Sequence, residues 1–284
     1  NLAKAYLYTD DVRYAERCAA LLWQLATYYP EYDYAKQSRN GLELDPTYYG
    51  RLFYYTWECF TVDACAGAYD AIFPALLEAR PELERVAGQP LAAIRERIEE
   101  QLLRSMAREI VQQTHVIGGN YGMHQAGLLK IAATLRDSPG DRDSAAMIDW
   151  LLNNPEPKLY IYLALGDALC NLVYRDGTPF ESPGYNLGWV DHLTTLAELL
   201  KLNGTDIFRE PRFKGLFDWP LDMVCAGRFT PALGDSGNLS NVGRLWRPEA
   251  LRAAFEAYGD PVYARALLSV SPEGGKDILS KDIK

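Results

Sequence analysis

The stretch Asp176–Tyr185, which reads DGTPFESPGY, combines a turn, a helix stop and a helix start. Ser182 is a favoured N-cap residue, and Pro183 suits the first helical position, where no backbone donor is needed. The sequence therefore predicts a helix that carries Tyr185 in its first turn, at the positive end of the helix dipole. A phenol in this position is well placed to meet an anionic ligand. It can donate a proton, or accept one if its pKa of ~10 is lowered.

A second segment has the same form. The residues from Val116 to Gln125 read VIGGNYGMHQ and run into the helical pattern AGLLKIAATL. Asn120 is predicted to be the N-cap of that helix, because a short polar side chain there can accept a hydrogen bond from a free backbone amide. The chain thus has two polar loops, each leading into a helix start that carries an amide or a phenol.

Helical periodicity dominates the rest of the chain, and alternating strand patterns are nearly absent. Helices are predicted near residues 11–28, 51–69, 91–114, 121–136, 143–153, 157–174, 184–202, 206–225, 248–257 and 260–268. The sequence indicates an all-α fold of antiparallel helix pairs.

The residues at 121–136 are small and apolar, which favours an inner position, whereas those at 90–114 are more polar on one face, which favours an outer one. This alternation predicts an (α/α) toroid of inner and outer helix pairs, complete or incomplete. No linker is visible, so we expect one domain over residues 1–284. Inner helices start at the same end of such a toroid, which would place Asn120 and Tyr185 around one cleft.

Composition excludes several function classes. The net charge of -9 and the sequence pI near 5.0 argue against a general nucleic-acid-binding protein. No apolar run is long enough to predict a membrane span. The five cysteines are odd in number and lack CxxC spacing, so free and mostly buried thiols are predicted. Because no metal-ligand spacing occurs among the cysteines and histidines, neither a metal nor a cofactor is predicted.

Several side chains near the two motifs could contribute to a site. His124 lies one turn into the first motif's helix, Glu181 precedes Tyr185 by four residues, and His192 follows it by two turns. Three of the candidates also have a plain structural interpretation: a capping residue for Asn120, a core histidine for His192 and a helix-start charge for Glu181. His115 is interpreted as a helix C-terminal residue that the dipole favours.

Aromatic and basic residues extend the candidate set. Aromatic rings near a cleft suit stacking against sugars, and Trp189 and Tyr121 are candidates for substrate contact. Arg51 opens a predicted helix and could bind a carboxylate through two hydrogen bonds, although a surface role is the simpler interpretation.

At this point the sequence resembles the heparinase II/III-like polysaccharide lyases. The resemblance rests on Gly119-Asn120-Tyr121-Gly122 with the downstream GLL at 127–129, and on Asp176-Gly177 followed by ESPGY at 181–185. The opening is also similar, with Ala5-Tyr6, then YAE at 14–16, then Tyr29-Pro30.

The resemblance implies an (α/α) toroid that cleaves uronic-acid polysaccharides by β-elimination in the periplasm or outside the cell. Asn120 would help to neutralise the uronate carboxylate, and Tyr185 would donate a proton to the leaving O4. These residue types fit the chemistry, because the C5 proton becomes removable only when the adjacent carboxylate charge is offset. A base must then take that proton, and an acid must protonate the leaving oxygen.

The chain departs from the family pattern in two respects. Many members carry His directly after the motif Asn, where this chain has Tyr121, so the base role stays open between His124, Tyr121 and Tyr185. Family members also continue into a β-sandwich, which we expect to lie in a longer chain.

Two other functions remain open. A glycoside hydrolase on a similar toroid would need two carboxylates facing one bond, for which Glu181, Asp176 and Asp235 are candidates. A non-catalytic glycan-binding domain is the third interpretation.

Overall fold

The computed structural model describes residues 1–37, 49–136, 143–225, 231, 233–234 and 247–270. These residues are mostly helical and contain no β-strand, only two isolated antiparallel bridges. The all-α class is therefore confirmed. The chain divides into two compact units, Asn1–Tyr162 and Leu163–Lys284.

The first unit contains helices α1 to α9 in its described part. Their bounds are α1 Leu2–Thr9, α2 Val12–Tyr28, α3 Tyr34–Gln37, α4 Tyr55–Ile72, α5 Pro81–Ala87, α6 Leu91–Arg97, α7 Arg104–Val111, α8 Met123–Arg136 and α9 Ser144–Asn153. A π-helical segment, Ile98–Leu103, joins α6 to α7.

The centre of the first unit is the packing of α4 against α8, with α1 and α2 also on α4. Gly127 permits the close approach of α8, because a Cβ atom there would lie 2.8 Å from a methyl carbon of Val62 on α4. Most of α8 is buried, as its small apolar sequence predicts. The stretch Tyr55–Leu77 also meets the length and hydropathy of a membrane span, contrary to the expectation from sequence. Within the first unit, α4 packs on α1, α2 and α8.

A buried carboxylate organises the entry to α4. Glu58 is fully buried, and its oxygens accept hydrogen bonds from the Tyr29 hydroxyl at 3.0 Å and from the backbone amides of Arg51, Leu52 and Phe53 at 2.9–3.3 Å. These amides are thereby satisfied outside a helix. This explains why the helix predicted from residue 51 begins only at Tyr55.

The second unit contains α10 Leu165–Asn171, α11 Pro183–Leu202, α12 Pro211–Asp222, α13 Pro248–Tyr258 and α14 Pro261–Val270 in its described part. The helix α11 packs on α13, and α13 packs on α14. The single helix predicted at 157–174 is instead a 3₁₀ turn, Tyr160–Tyr162, followed by the short α10. Pro155 and Pro157 lie just before that turn and disfavour an earlier helical start.

Candidate functional site

A short hairpin precedes α11 in the second unit. Val173 and Pro179 form an antiparallel bridge, and the backbone amide of Tyr174 donates to the carbonyl of Thr178 at 2.9 Å. The Asp176 carboxylate accepts a hydrogen bond from the Thr178 amide at 2.9 Å, which closes the turn. The DGT sequence therefore folds as the tight turn that its composition predicts.

Gly177 is required by both its conformation and its neighbour. Its φ is +89°, in the left-handed region, and a side chain on it would overlap the carbonyl of Gly215 on α12. In the reverse direction, a Cβ atom on Gly215 would lie 2.8 Å from the Gly177 Cα. The turn that leads towards α11 thus packs backbone to backbone on α12.

The start of α11 lies where the sequence predicts it, but the Ser182 side chain makes no capping hydrogen bond. Ser182 is the N-cap in an extended conformation and Pro183 is the first helical residue. A residue that the sequence analysis missed, Asn186, is fully buried, and its side-chain amide donates to the carbonyls of Pro179 and Glu181 at 2.9 Å each. The signal for it was an amide on an otherwise apolar helix face. Asn186 thereby holds the backbone of Pro179 and Glu181, close before the N-cap.

Tyr185 lies in the first turn of α11 with 44% of its surface exposed. Its phenol is therefore accessible at the positive end of a twenty-residue helix. Glu181, four residues earlier, is half-buried, and burial raises the pKa of its carboxyl, while the Trp189 side chain opposes that shift. A phenol and a carboxyl with a raised pKa thus lie four residues apart at this helix start.

Two further candidates on α11 differ in accessibility. Trp189 is fully buried and meets Phe180 edge to face, with ring centroids 6.0 Å apart. The expectation that Trp189 contacts substrate is corrected, because it presents no exposed ring face to a sugar. His192 is partly buried on the same helix. Asp235 lies outside the described residues.

The first motif forms the loop that leads into α8 in the first unit. The helix begins at Met123, so Asn120 lies three residues before it rather than at the N-cap. Gly122 is the residue that turns the chain, with a φ of +96°, and its amide donates to the Gln125 side chain at 2.9 Å. This bond is one half of a capping box. Asn120 is partly buried, and its carbonyl accepts from the Met123 amide at 3.0 Å.

Gly118 and Gly119 lie in close contact with neighbouring side chains. A Cβ atom on Gly118 would lie 2.8 Å from the Tyr162 hydroxyl, and one on Gly119 would lie 2.6 Å from the Met123 sulfur. Tyr121 is fully buried. The expected contact of Tyr121 with substrate, and a role for it as the base, are therefore corrected: its side chain belongs to the core.

His124 is not accessible either. Its side chain is fully buried, and neither ring nitrogen makes a hydrogen bond within the described chain. Burial lowers the pKa of this imidazole to about 3, although the nearby Ile161 carbonyl opposes part of the shift. The expectation that His124 is the base is corrected, because a base must reach the proton that it removes.

Arg51 is engaged inside the first unit. Its guanidinium pairs with Glu109 at 2.5 Å and donates to the carbonyls of Pro30 and Tyr32 at 2.9 and 3.2 Å. Arg51 was expected to bind a substrate carboxylate. This expectation is corrected, because the Arg51 guanidinium already binds the Glu109 carboxylate and two backbone carbonyls.

His115 was interpreted as a helix C-terminal residue, and the structure places it elsewhere. The helix α7 ends at Val111, so His115 lies four residues beyond it, in the loop between α7 and α8, with a left-handed φ of +68°. Its ring is partly exposed, 5.3 Å from the ring of Tyr49 and 4.6 Å from that of Tyr55. Burial lowers the pKa of this imidazole, so it is held in the neutral form that can accept a proton. No sequence pattern marks a left-handed histidine.

The candidate residues thus form two groups. Asn120 and His115 belong to the first unit, and Tyr185, Glu181 and His192 belong to the second. The single cleft predicted from the sequence stays a prediction. Within the described residues, no cluster of three or more His, Cys, Asp or Glu side chains could hold a metal ion.

A scan against protein-family models finds no match for this sequence, and a search of curated proteins finds no similar chain.

Proposed function

We propose that this protein cleaves a uronic-acid polysaccharide by β-elimination, with Tyr185 as the proton donor. The observation that carries the proposal is the exposed phenol of Tyr185 in the first turn of α11. The segment before this helix is held in place by two features. Gly177 packs against Gly215, and the Asn186 side chain makes two hydrogen bonds to backbone carbonyls. The resemblance in the residues around Asn120 and Tyr185 supports the same reaction.

The chemistry of elimination explains why these side chains are needed. The C5–H bond breaks, its electron pair forms a C4=C5 double bond, and the C4–O4 bond breaks. The leaving O4 takes the phenolic proton of Tyr185, which solvent then replaces. The Asn120 amide offsets the charge of the uronate carboxylate, which makes the C5 proton more acidic. The acidic substrate, the (α/α) toroid and a periplasmic or secreted location belong to the same proposal.

The test is Tyr185→Phe in the full-length gene product, assayed on alginate, heparan-type glycans, ulvan and polygalacturonate. The unsaturated uronate product absorbs ultraviolet light, so elimination is followed directly. We expect product release to fall below ~1% of the wild-type rate, because general acid catalysis contributes ~10²–10⁴-fold. Binding of the polymer should stay nearly unchanged.

The matched control is Tyr174→Phe. Tyr174 is also exposed and lies on the hairpin before α11, so its change removes a phenol from the same unit outside the helix start. Near wild-type elimination by Tyr185→Phe, with full activity of the control, would refute the assignment.

A glycoside hydrolase is the second candidate, and the half-buried carboxyl of Glu181, four residues before Tyr185, is the observation that favours it; burial raises the pKa of this carboxyl. A general acid in a hydrolase needs a carboxyl that stays protonated. A hydrolase would release reducing ends without ultraviolet absorbance, and Glu181→Gln would abolish them. A glycan-binding domain would release no product.

A further inference from the structure

We infer that this protein forms a weak homodimer, in which one uncovered face of α4 pairs antiparallel with the same face of a second copy. The inference lies within the first unit and does not depend on the proposed function. The face consists of Trp57, Phe60, Ala64, Gly67 and Ala71. We call this set the α4 seam.

The residues of the α4 seam have the spacing of a helix-packing surface. They recur at intervals of three, four, three and four residues, which places them on one side of an α-helix over two heptads. Four of them are exposed, and Ala71 is partly exposed. Apart from the helix backbone and chain neighbours, no described atom lies within 4 Å of a Cβ atom built on Gly67. The described part of the chain therefore leaves this packing surface open.

The opposite side of α4 is already packed. Val62, Ala66 and Tyr69 are fully buried there, and the helix contacts α1, α2 and α8. Apolar residues thus occupy two sides of α4, which explains why Tyr55–Leu77 reaches the hydropathy of a membrane span although less than half of its apolar window is buried. The α4 seam is the part of this apolar surface that a further partner would cover.

The two ends of the α4 seam differ in size, and this difference selects the partner. Trp57 and Phe60 are large and lie at the N-terminal end, whereas the three later residues are small. An antiparallel pair with its two-fold axis at Ala64 places Trp57 of one copy opposite Ala71 of the other. Phe60 then lies opposite the helical turn that contains Gly67. Because large side chains fill the space that small ones leave, the seam is complementary to itself in this arrangement.

The charges beside the α4 seam also fit a second copy. Asp63, next to Ala64, forms an ion pair with Lys130 of α8. A two-fold axis at Ala64 brings the ion pairs of both copies to the same side of the interface, where Lys130 of one copy can meet Asp63 of the other. The seam itself contains no charged residue, so the pairing buries no unpaired charge.

An anionic membrane and an acidic glycan fit this face poorly. The exposed residues Asp63 and Asp70 lie along one side of the seam and repel both. Helices that bind membrane surfaces instead carry Lys and Arg beside their apolar face. The rings of Trp57 and Phe60 stack on each other, with centroids 5.8 Å apart and planes at 18°, so one face of each ring is already covered.

The size of the α4 seam predicts a weak association. Trp57 is 57% exposed and Phe60 is 51% exposed. Covering both rings in both copies, together with the helix surface opposite them, removes roughly 800–1,000 Å² from water, which is less than the ~1,200 Å² at which stable interfaces begin. We therefore expect a reversible dimer that is populated at ~100 µM and dissociates near ~1 µM.

The first experiment measures the mass of the chain by analytical ultracentrifugation. The weight-average mass should rise with concentration from the 31.9 kDa of one chain towards twice that value. Ala64→Glu places two carboxylates together on the two-fold axis and should weaken association by at least ~10-fold. The matched control is Ala92→Glu, which makes the same change at an exposed position of α6 and should leave association unchanged. Circular dichroism melting checks that both variants are folded.

The second experiment tests the antiparallel geometry by disulfide trapping, in a chain whose two exposed cysteines are changed to serine. A disulfide requires Cα atoms within about 7 Å of each other. Ala64→Cys should therefore link to a second copy of itself under mild oxidation. Trp57→Cys and Ala71→Cys should link to each other when mixed, and more readily than either links to itself. Ala92→Cys should give no linked dimer.

A chain that stays monomeric at ~1 mM, or an association that Ala64→Glu leaves unchanged, would overturn the inference. Two other results would assign the face to a different occupant and would overturn it equally. Binding to vesicles of phosphatidylcholine and phosphatidylglycerol that Ala64→Glu abolishes would identify a lipid surface. Maleimide labelling of a monomeric Ala64→Cys chain that is much slower than labelling of Ala92→Cys would show that another part of the same chain covers the seam. None of these measurements uses turnover, so their outcome is separate from that of the proposed function.

Discussion

Replacing Gly177 with Ala tests the contact that positions the start of α11. The left-handed φ of +89° costs an alanine about 1–2 kcal/mol. The new methyl group also overlaps the carbonyl of Gly215, and both partners are backbone, so α12 or the turn must move. Overpacking of this kind costs about 1–3 kcal/mol. We therefore expect the free energy of unfolding to fall by ~2–5 kcal/mol, measured by urea denaturation followed by circular dichroism.

The control for this change is Gly188→Ala on α11. No atom of the described residues, apart from the helix backbone and chain neighbours, lies within 4 Å of a Cβ atom there. Alanine is favoured over glycine inside a helix, so this variant should gain up to ~1 kcal/mol. A Gly177→Ala protein within about 0.5 kcal/mol of wild type would show that the turn is not held by its contact with α12.

Two further predictions follow from the first unit. The pKa of His124 is lowered by burial to about 3, below the ~6.5 of an unfolded histidine, so the unfolded state binds more protons between these values. The free energy of unfolding should therefore fall by up to ~1.4 kcal/mol per pH unit as pH drops from 6 towards 3, and His124→Leu should flatten this dependence. For the partly buried pair of Arg51 and Glu109, a double-mutant cycle with Arg51→Met and Glu109→Gln should give a coupling energy of about 1–2 kcal/mol. A coupling near zero would show that this ion pair does not stabilise the first unit.

Local sequence signals predicted much of this fold. The apolar periodicity from Val12 to Tyr28 and the Ser-Pro pair at residues 182–183 located helices whose cores and starts the structure confirms. Such features depend on nearby residues, which a single sequence displays. The small residues of α8 also predicted its close packing.

The candidate site was predicted less completely, because accessibility depends on residues distant in sequence. His124 and Trp189 are placed near the motifs by sequence, yet both are fully buried. Arg51 was expected to bind substrate, but its carboxylate partner, Glu109, is 58 residues away. The left-handed conformation of His115 has no sequence signal, and the nearby Gln113 side chain bonds to Glu156, 43 residues away.

The π-helical segment between α6 and α7 changes how the spacing of apolar residues should be counted. Ile94, Ile98, Leu102, Met106 and Ile110 repeat every four residues, and all five are fully buried. In a uniform α-helix with 3.6 residues per turn, each step of four advances about 40° beyond a full turn, so the row would drift by ~160° along its length. Six residues of wider winding, Ile98–Leu103, absorb part of that drift. The π-helical segment therefore keeps apolar residues that repeat every four positions on the side of the helix that faces the core.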